Sequence, residues 1–492
     1  MYDIKGESGM SGFSEYDKYD ALGLAALVRN GDVTATDLLD EAIARLERVD
    51  GTLNAVPLRH YDEARDQIEK GLPDGPFTGV PFLLKDLHLL LTGTVTTYGS
   101  GAFTGNVADH NATLTQRYLD AGMVIFGKTN SPEFGLAGTT EPRLYGPTRN
   151  PWNTEHSPGG SSGGAAAAVA AGVLPIANAS DGGGSIRVPA SACGLFGLKP
   201  TRARTPMGPD RGEGWGGMSI SHAVSRSVRD NAALLDATCG AAPGDPYAAP
   251  TPVRPFLEEV TTRPRALRIA LTRTGPNGNS ADAAVEAGLD ATATLLRQLG
   301  HEVIEAAPSI DPADMALAQI SLIASNIALT LDMRGEALGR PVSENDVEHI
   351  TWAIAQNGRG LTAADYARGT LTIHKLGRQV ADFMTDTRVD LLLSPTLALP
   401  PVPLGTVNMD SEDIAAYLDV NARYMPFPGL FNMTGQPSMS VPLHWTSNGL
   451  PVGMMFTAPF GDEATLFQLA GQLEDAQPWA DRRPPVHAGG YQ

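Results

Sequence analysis

Three stretches of this 492-residue chain hold side chains that could do chemistry. Lys85 lies in GVPFLLKDLHLLLTG, with apolar residues on both sides. An ammonium buried without partners is costly, so its pKa falls and the neutral amine, a base, becomes accessible. A lysine that snorkels to the surface, or one paired to Asp86, fits the same stretch. The other six of the seven lysines sit in ordinary surroundings. PGGSSGG, residues 158–164, sets Ser161 and Ser162 among four glycines, and in SDGGGSIRVPAS, residues 180–191, Ser185 follows Gly182, Gly183 and Gly184. A serine behind a glycine run suits acyl transfer, because glycines let main-chain amides turn toward one spot as an oxyanion hole. A flexible glycine loop has the same composition, but this one is sharply bounded by Ile-Arg-Val-Pro.

The elements that must carry these residues follow from pattern. VTATDLLDEAIARLERVD reads as a helix capped by Thr34 with Asp37 three positions on, Val33 and Leu38 placed as a staple, and Leu39, Ile43 and Leu46 on one face. GMVIFGK, residues 122–128, reads as a buried strand. RALRIALTR, ADAAVEAGLDATATLLRQLG and HEVIEAA form a strand–helix–strand unit, which implies parallel pairing. Late strands are expected at VDLLLSPT, PSMSVPLHW and LPVGMMFTA, with a closing helix at DEATLFQLAGQLEDA. APGDPYAAPTPVRP, residues 242–255, reads as a surface connection. Strands alternating with helices over the whole length favour one large α/β domain.

Other motifs are weaker. GMVIFGKT, residues 122–129, fits the phosphate-loop letters, but its four apolar variable positions suit a sheet ladder, not a loop around phosphate. GEGWGG, residues 212–217, has no strand before it and reads as a loop. GSSGG, residues 160–164, fits a nucleophile elbow centred on Ser162 but follows a polar, proline-broken segment. His156 and His222 could serve as a base, although a lone histidine is more often structural. None of the ten histidines forms an HExxH or HxxxH pair, and two cysteines, Cys193 and Cys239, supply no zinc site or disulfide framework.

The balance of 42% hydrophobic and 18% charged residues is globular, and a net charge of −19 argues against nucleic acid and anionic membranes as partners. The amino terminus lacks the apolar core of a signal peptide, and the most membrane-like stretch noted, AAAAVAAGVLPIA at 165–177, is too short to span a bilayer. A cytoplasmic protein is expected.

Taken in order, GVPFLLKD, GKTNSPEF, YGPTRNPWN, SPGGSSGG, SDGGGSIRVPASACGLFGLKPT, SRSVRD and GLPVGMMF resemble the amidase signature family over nearly the whole chain. The resemblance implies a single α/β/α domain, residues 1–492, with a large central mixed β-sheet covered by helices. Residues 1–60 would supply N-terminal helices, 60–235 the catalytic core, and 255–492 the rest of the sheet and the pocket walls. It further implies a Ser–cis-Ser–Lys triad. By position, Lys85 resembles the catalytic lysine, Ser161 the bridging serine after a cis peptide bond, and Ser185 the nucleophile. The 24-residue interval from Ser161 to Ser185 favours Ser161 over Ser162, which is left in support. Gly182, Gly183, Gly184 and the Ser185 amide match the oxyanion-hole segment. Gly182 stands where relatives often carry a larger residue, which is expected to loosen the loop. Asp181 and Arg187 match a pair bracketing the nucleophile and are expected to form a salt bridge. No metal and no cofactor is required.

The substrate is less legible. YMPFPGLFNMTGQP, residues 424–437, is apolar where a glutaminase subunit of the tRNA-dependent amidotransferase would need an acidic residue. Met425, Phe427 and Phe431, with Phe134, Gly135, Met207 and Trp215, suggest a hydrophobic acyl or aryl pocket. GTTEPRLYGPTRNPWN resembles the branch containing 6-aminohexanoate cyclic-dimer hydrolase. The expected partner is a small-molecule amide or carbamate, aryl acylamides and urethanes included, with a homodimer left open. The alternatives are the glutaminase subunit and a nucleotide-binding protein built on GMVIFGKT.

Overall fold

Short runs of Val, Ile, Leu and Phe closed by turn residues set the strands. In the computed structural model, which describes Phe13 and residues 15–490, eleven such strands pair among the described residues. They are β1 (Leu58–Arg59), β2 (Pro81–Lys85), β3 (Val124–Thr129), β4 (Ile176–Asp181), β5 (Phe196–Lys199), β6 (Ile220–Ser225), β7 (Arg268–Leu271), β8 (Glu302–Glu305), β9 (Leu391–Pro395), β10 (Ser438–Trp445) and β11 (Pro451–Thr457). Eight form one mixed sheet in the order β4-β6-β5-β10-β11-β9-β7-β8. Its pairs are antiparallel except β7 with β8 and β9, the expected strand–helix–strand unit around helix Ala283–Gln298. The remaining three pair as β1-β3-β2. Asn178 of β4 joins the two sheets by accepting the Lys85 amide at 3.1 Å. Helices cover this layer on both sides, so the chain is one α/β/α domain with a mixed central sheet.

Two helices pack directly behind the serine motifs. Helix Ala35–Leu53 starts at Thr34, whose hydroxyl accepts the Asp37 amide at 3.1 Å, while the Asp37 carboxylate accepts the Thr34 amide at 2.8 Å. Its Leu39, Ala42, Leu46 and Val49 share one buried cluster with helix Gly163–Ala170, which is apolar on every side and therefore buried on every side. AAAAVAAGVLPIA is thus a core helix followed by β4. Another segment is long and apolar enough to cross a bilayer by length and composition, the helical run Pro312–Leu338; its Leu322, Ile327 and Leu331 are packed in the protein core. GMVIFGKT forms β3, with Gly127 and Lys128 paired to β1 and β2, so their backbones are committed to a ladder.

The glycines after the serine pair are there for close packing. A Cβ on Gly164 would lie 2.5 Å from both the Ala55 carbonyl oxygen and the Asn130 amide nitrogen. Both are backbone atoms and neither can rotate away. Gly164→Ala is therefore expected to lower stability by about 1–3 kcal/mol through overpacking, read as a lower urea midpoint at unchanged slope. An unchanged midpoint would show that this contact relaxes freely.

Candidate active site

The site gathers where strands end. Lys85 is the last residue of β2, Ser180 and Asp181 close β4, and Ser161 and Ser162 lead into helix Gly163–Ala170. Ser185 sits in the turn between β4 and helix Arg187–Cys193. The Gly160–Ser161 peptide is cis. Lys85 Nζ lies 2.7 Å from Ser161 Oγ and 3.0 Å from Ser180 Oγ, with no solvent exposure. Burial pulls the amine down to about 7, against the charge of Asp181, which raises it. Asp86 is not its partner, since that carboxylate accepts the Thr97 amide at 2.8 Å and the Thr97 hydroxyl. Ser162 holds β4 from behind, donating to the Ser180 carbonyl at 3.2 Å and accepting its amide at 3.3 Å.

Lys85 is not the only buried lysine. Contrary to the sequence expectation, Lys128 and Lys199 are buried as completely, and burial lowers them to about 8 and about 7. Their surroundings differ in kind. Lys128 donates to the Val95 carbonyl at 2.8 Å and to Thr96 Oγ1 at 2.6 Å, and Lys199 to the Pro200 carbonyl at 2.7 Å. A carbonyl can only accept, so it fixes an amine as a donor. Among the described residues, Lys85 Nζ meets hydroxyls alone, and a hydroxyl can also give a proton to the amine.

The nucleophile turn is organised by one carboxylate. Arg187 clamps Asp181 with Nε and Nη2, each 2.9 Å from a carboxylate oxygen, and both side chains are fully buried. Asn432 donates to the Asp181 carboxylate at 2.8 Å and accepts from Arg187 at 2.6 Å. Burial would raise Asp181, but the charge and hydrogen bonds of Arg187, with Lys199 and Asn432, hold it well below the usual carboxylate range. Asp181 also accepts the amides of Gly184 at 2.7 Å and Ile186 at 3.1 Å. This corrects the expected oxyanion segment, because the Gly184 amide is already taken. Among the described residues the amides of Gly182, Gly183 and Ser185 have no acceptor. Ser185 is 8% exposed, more than Lys85, Ser161 or Ser180, and its hydroxyl takes no hydrogen-bond partner among the described residues.

The family profile described as Amidase matches residues 37–467. The 6-aminohexanoate-cyclic-dimer hydrolase of Paenarthrobacter ureafaciens is 38% identical over 478 residues, covering 95% of this chain and 96% of that protein. The chain belongs to the amidase signature family. A solved 6-aminohexanoate cyclic dimer hydrolase matches with a TM-score of 0.90 at 37% identity, covering 96% of this chain and 99% of the other. A bacterial aryl acylamidase matches at 0.84 and 27% identity, covering 94% and 97%. As an amidase signature enzyme, the chain is a serine amidohydrolase acting on C–N bonds.

Within this amidase the expected pocket residues separate. Gly135 adjoins the serines, since a Cβ there would lie 3.0 Å from Ser161 Oγ. Trp215 lies against Gly182, and Met207 lies beside Gly214. Phe134 instead belongs to a buried cluster with Leu87, Tyr98 and Phe103. Phe427 and Phe431 pack with Val380, Met384, Leu392 and Met455 and are core residues, not pocket walls. The sheet beneath helix Gly429–Thr434 has to be covered, and these rings cover it. Met425 lies on Gly138, and Pro428 is the member of that segment that approaches Gly184. His222 is buried on β6, its Nε2 2.8 Å from Asn231 Oδ1, and burial lowers it to about 4.

Two residues escaped the sequence reading. Ser180 stands at the head of the SDGGGS motif, and alternation along β4 from the buried Asn178 would have aimed both toward Lys85. Asn432 has no local signal, being 251 residues from Asp181. Arg187→Met would leave the Asp181 carboxylate buried without its counter-charge. Stability is expected to fall by about 3–5 kcal/mol in urea denaturation at neutral pH, and a loss under about 1 kcal/mol would count against the clamp.

Proposed function

We propose that this amidase hydrolyses apolar or aryl amides, with carbamates and cyclic amides in the same chemical class, through an acyl-enzyme on Ser185. One observation carries the reading: a buried amine whose polar contacts are hydroxyls, beside a turn with three unclaimed amides. Neutral Lys85 takes a proton from Ser161, and Ser161 takes one from Ser185. Ser185 Oγ then attacks the carbonyl carbon. The free amides of Gly182, Gly183 and Ser185 receive the oxyanion. The Ser185–Ser161 contact closes in the productive complex, as catalytic hydrogen bonds commonly do. Collapse of the tetrahedral adduct breaks the C–N bond, and the proton held on Lys85 returns through Ser161 to the leaving nitrogen. Water repeats the sequence on the ester and frees the acid. The relatives support the substrate class, since one is named for a cyclic dimer of 6-aminohexanoate and another as an aryl acylamidase.

Ser185→Ala is expected to abolish turnover and to remove the acyl adduct that mass spectrometry finds on the wild-type protein. Lys85→Ala is expected to lower kcat by about a hundredfold or more while the melting transition stays cooperative. Hydrolysis of a simple anilide by the purified chain separates this reading from a glutaminase subunit that needs partner chains.

The pH dependence has a definite sign. Only the neutral amine is a base, and the neutral fraction grows as pH rises through about 7. The kcat/KM of a neutral anilide should therefore climb between pH 6 and 8, about one unit either side of that midpoint, and then level off. A profile flat across this window would rule out Lys85 as the titrating base.

A further inference from the structure

GEGWGG, residues 212–217, forms a tight loop, and its geometry shows what it positions. Trp215 adopts φ +51°, a left-handed conformation uncommon for so bulky a residue, next to Gly216 and Gly217 at φ +63° and +82°. The turn is closed by the amides of Gly217 and Ser219, each donating to the Gly214 carbonyl at 3.1 Å. Arg202 pins it from outside, its Nε 2.6 Å from the Gly217 carbonyl. The indole is thereby laid on the nucleophile turn. A Cβ on Gly182 would lie 2.7 Å from Trp215 Cζ3 and 2.8 Å from Cε3. At the other end of the glycine run, a Cβ on Gly184 would lie 2.8 Å from Pro428 Cγ. Between them, a Cβ on Gly183 would meet nothing within 4 Å. The indole packs against the buried cluster that contains Met218 and Leu322, the latter in the π-helical turn Ile320–Ala324, and lies on the glycine turn. The indole takes the place that a side chain at position 182 would fill.

We infer that Trp215 is the specificity-determining wall of the acyl pocket. The acyl group carried by Ser185 lies in the open space at Gly183, bounded by the indole on one side and the Pro428 ring on the other. That slot takes flat aryl groups, which stack on the indole, and unbranched methylene chains. It turns away acyl groups branched at the carbon next to the carbonyl. Gly182 is part of the same device, since any side chain there displaces the ring. The inference rests on the acyl-enzyme reading given above and extends it to the choice of acid.

The test is a panel of p-nitroanilides carrying benzoyl, hexanoyl and 2-methylpropanoyl groups, run on the wild type, W215A, W215F, G182A and S185A. The kcat/KM ratio of benzoyl to 2-methylpropanoyl substrate should fall about fivefold or more in W215A and G182A, and W215F should restore most of it. Should W215A fail to melt cooperatively, W215L carries the same comparison. If S185A keeps turning over the panel, the acyl-enzyme reading itself has failed. If S185A is inactive while W215A or W215L and G182A all shift the ratio by less than about fivefold, the indole is not the wall and this inference alone is overturned.

Discussion

The amine of Lys85 can act as a base because nothing bonded to it requires it to be an acid. Burial makes the ammonium costly, and the two groups in reach, Ser161 and Ser180, are neutral hydroxyls. Two carboxylates nearby could have reversed this. Asp86, next in the chain, is turned to Thr97. Asp181 does raise the amine, yet its charge is met by the two-pronged Arg187 clamp and by Asn432. The clamp fixes the turn that follows β4, and burial outweighs the pull of Asp181 on the Lys85 amine. A buried ion pair is weak evidence for stability in itself; here it fixes the carboxylate that accepts the Gly184 and Ile186 amides.

The sheet arrangement supplies the meeting point. β2 and β4 belong to differently ordered sheets, so their junction could have slipped without breaking a ladder. Asn178 prevents this. Its oxygen accepts the Lys85 amide, and its nitrogen donates to the His222 carbonyl at 2.9 Å and to the Tyr118 hydroxyl at 3.2 Å. One amide side chain therefore ties the lysine's own backbone to β6. Gly160, Gly163 and Gly164 let the serine segment press against Thr139, Thr140 and Asn130, which brings Ser161 under the amine.

What could be read from the sequence was whatever depends on local pattern. The strand at 122–128, the cap at Thr34 and the parallel unit around β7 and β8 follow from periodicity and turn chemistry within a few residues. Lys85 stood out because its apolar neighbours are consecutive. Lys128 and Lys199 are buried as deeply, and for Lys128 the signal was local too, since it ends the strand read as buried at 122–128. Phe427 and Phe431 were misplaced because the residues they pack with, Val380, Met384, Leu392 and Met455, are distant in sequence. An apolar run beside an active site looks alike whether it lines a pocket or covers a sheet, and only the packing of helix Ala363–Thr387 against it decides. Asn432 was invisible, since its whole meaning lies in a contact 251 residues away.

The division of amides in the nucleophile turn was likewise beyond pattern. Three glycines in a row suggest that all their N–H groups face one spot, but a carboxylate at the end of β4 competes for them. Asp181 takes the amides of Gly184 and Ile186, folding the chain back into helix Arg187–Cys193. What remains is the amides of Gly182, Gly183 and Ser185, with Gly183 facing open space. Gly182 and Gly183 are half-buried, so an incoming oxygen can reach these donors. The turn therefore presents three amide donors that no described protein group takes. The carboxylate that divides the amides also balances the buried Arg187 charge beside this turn. Removing the turn's free donors and removing the basicity of Lys85 are thus separate injuries to one device, joined at Asp181.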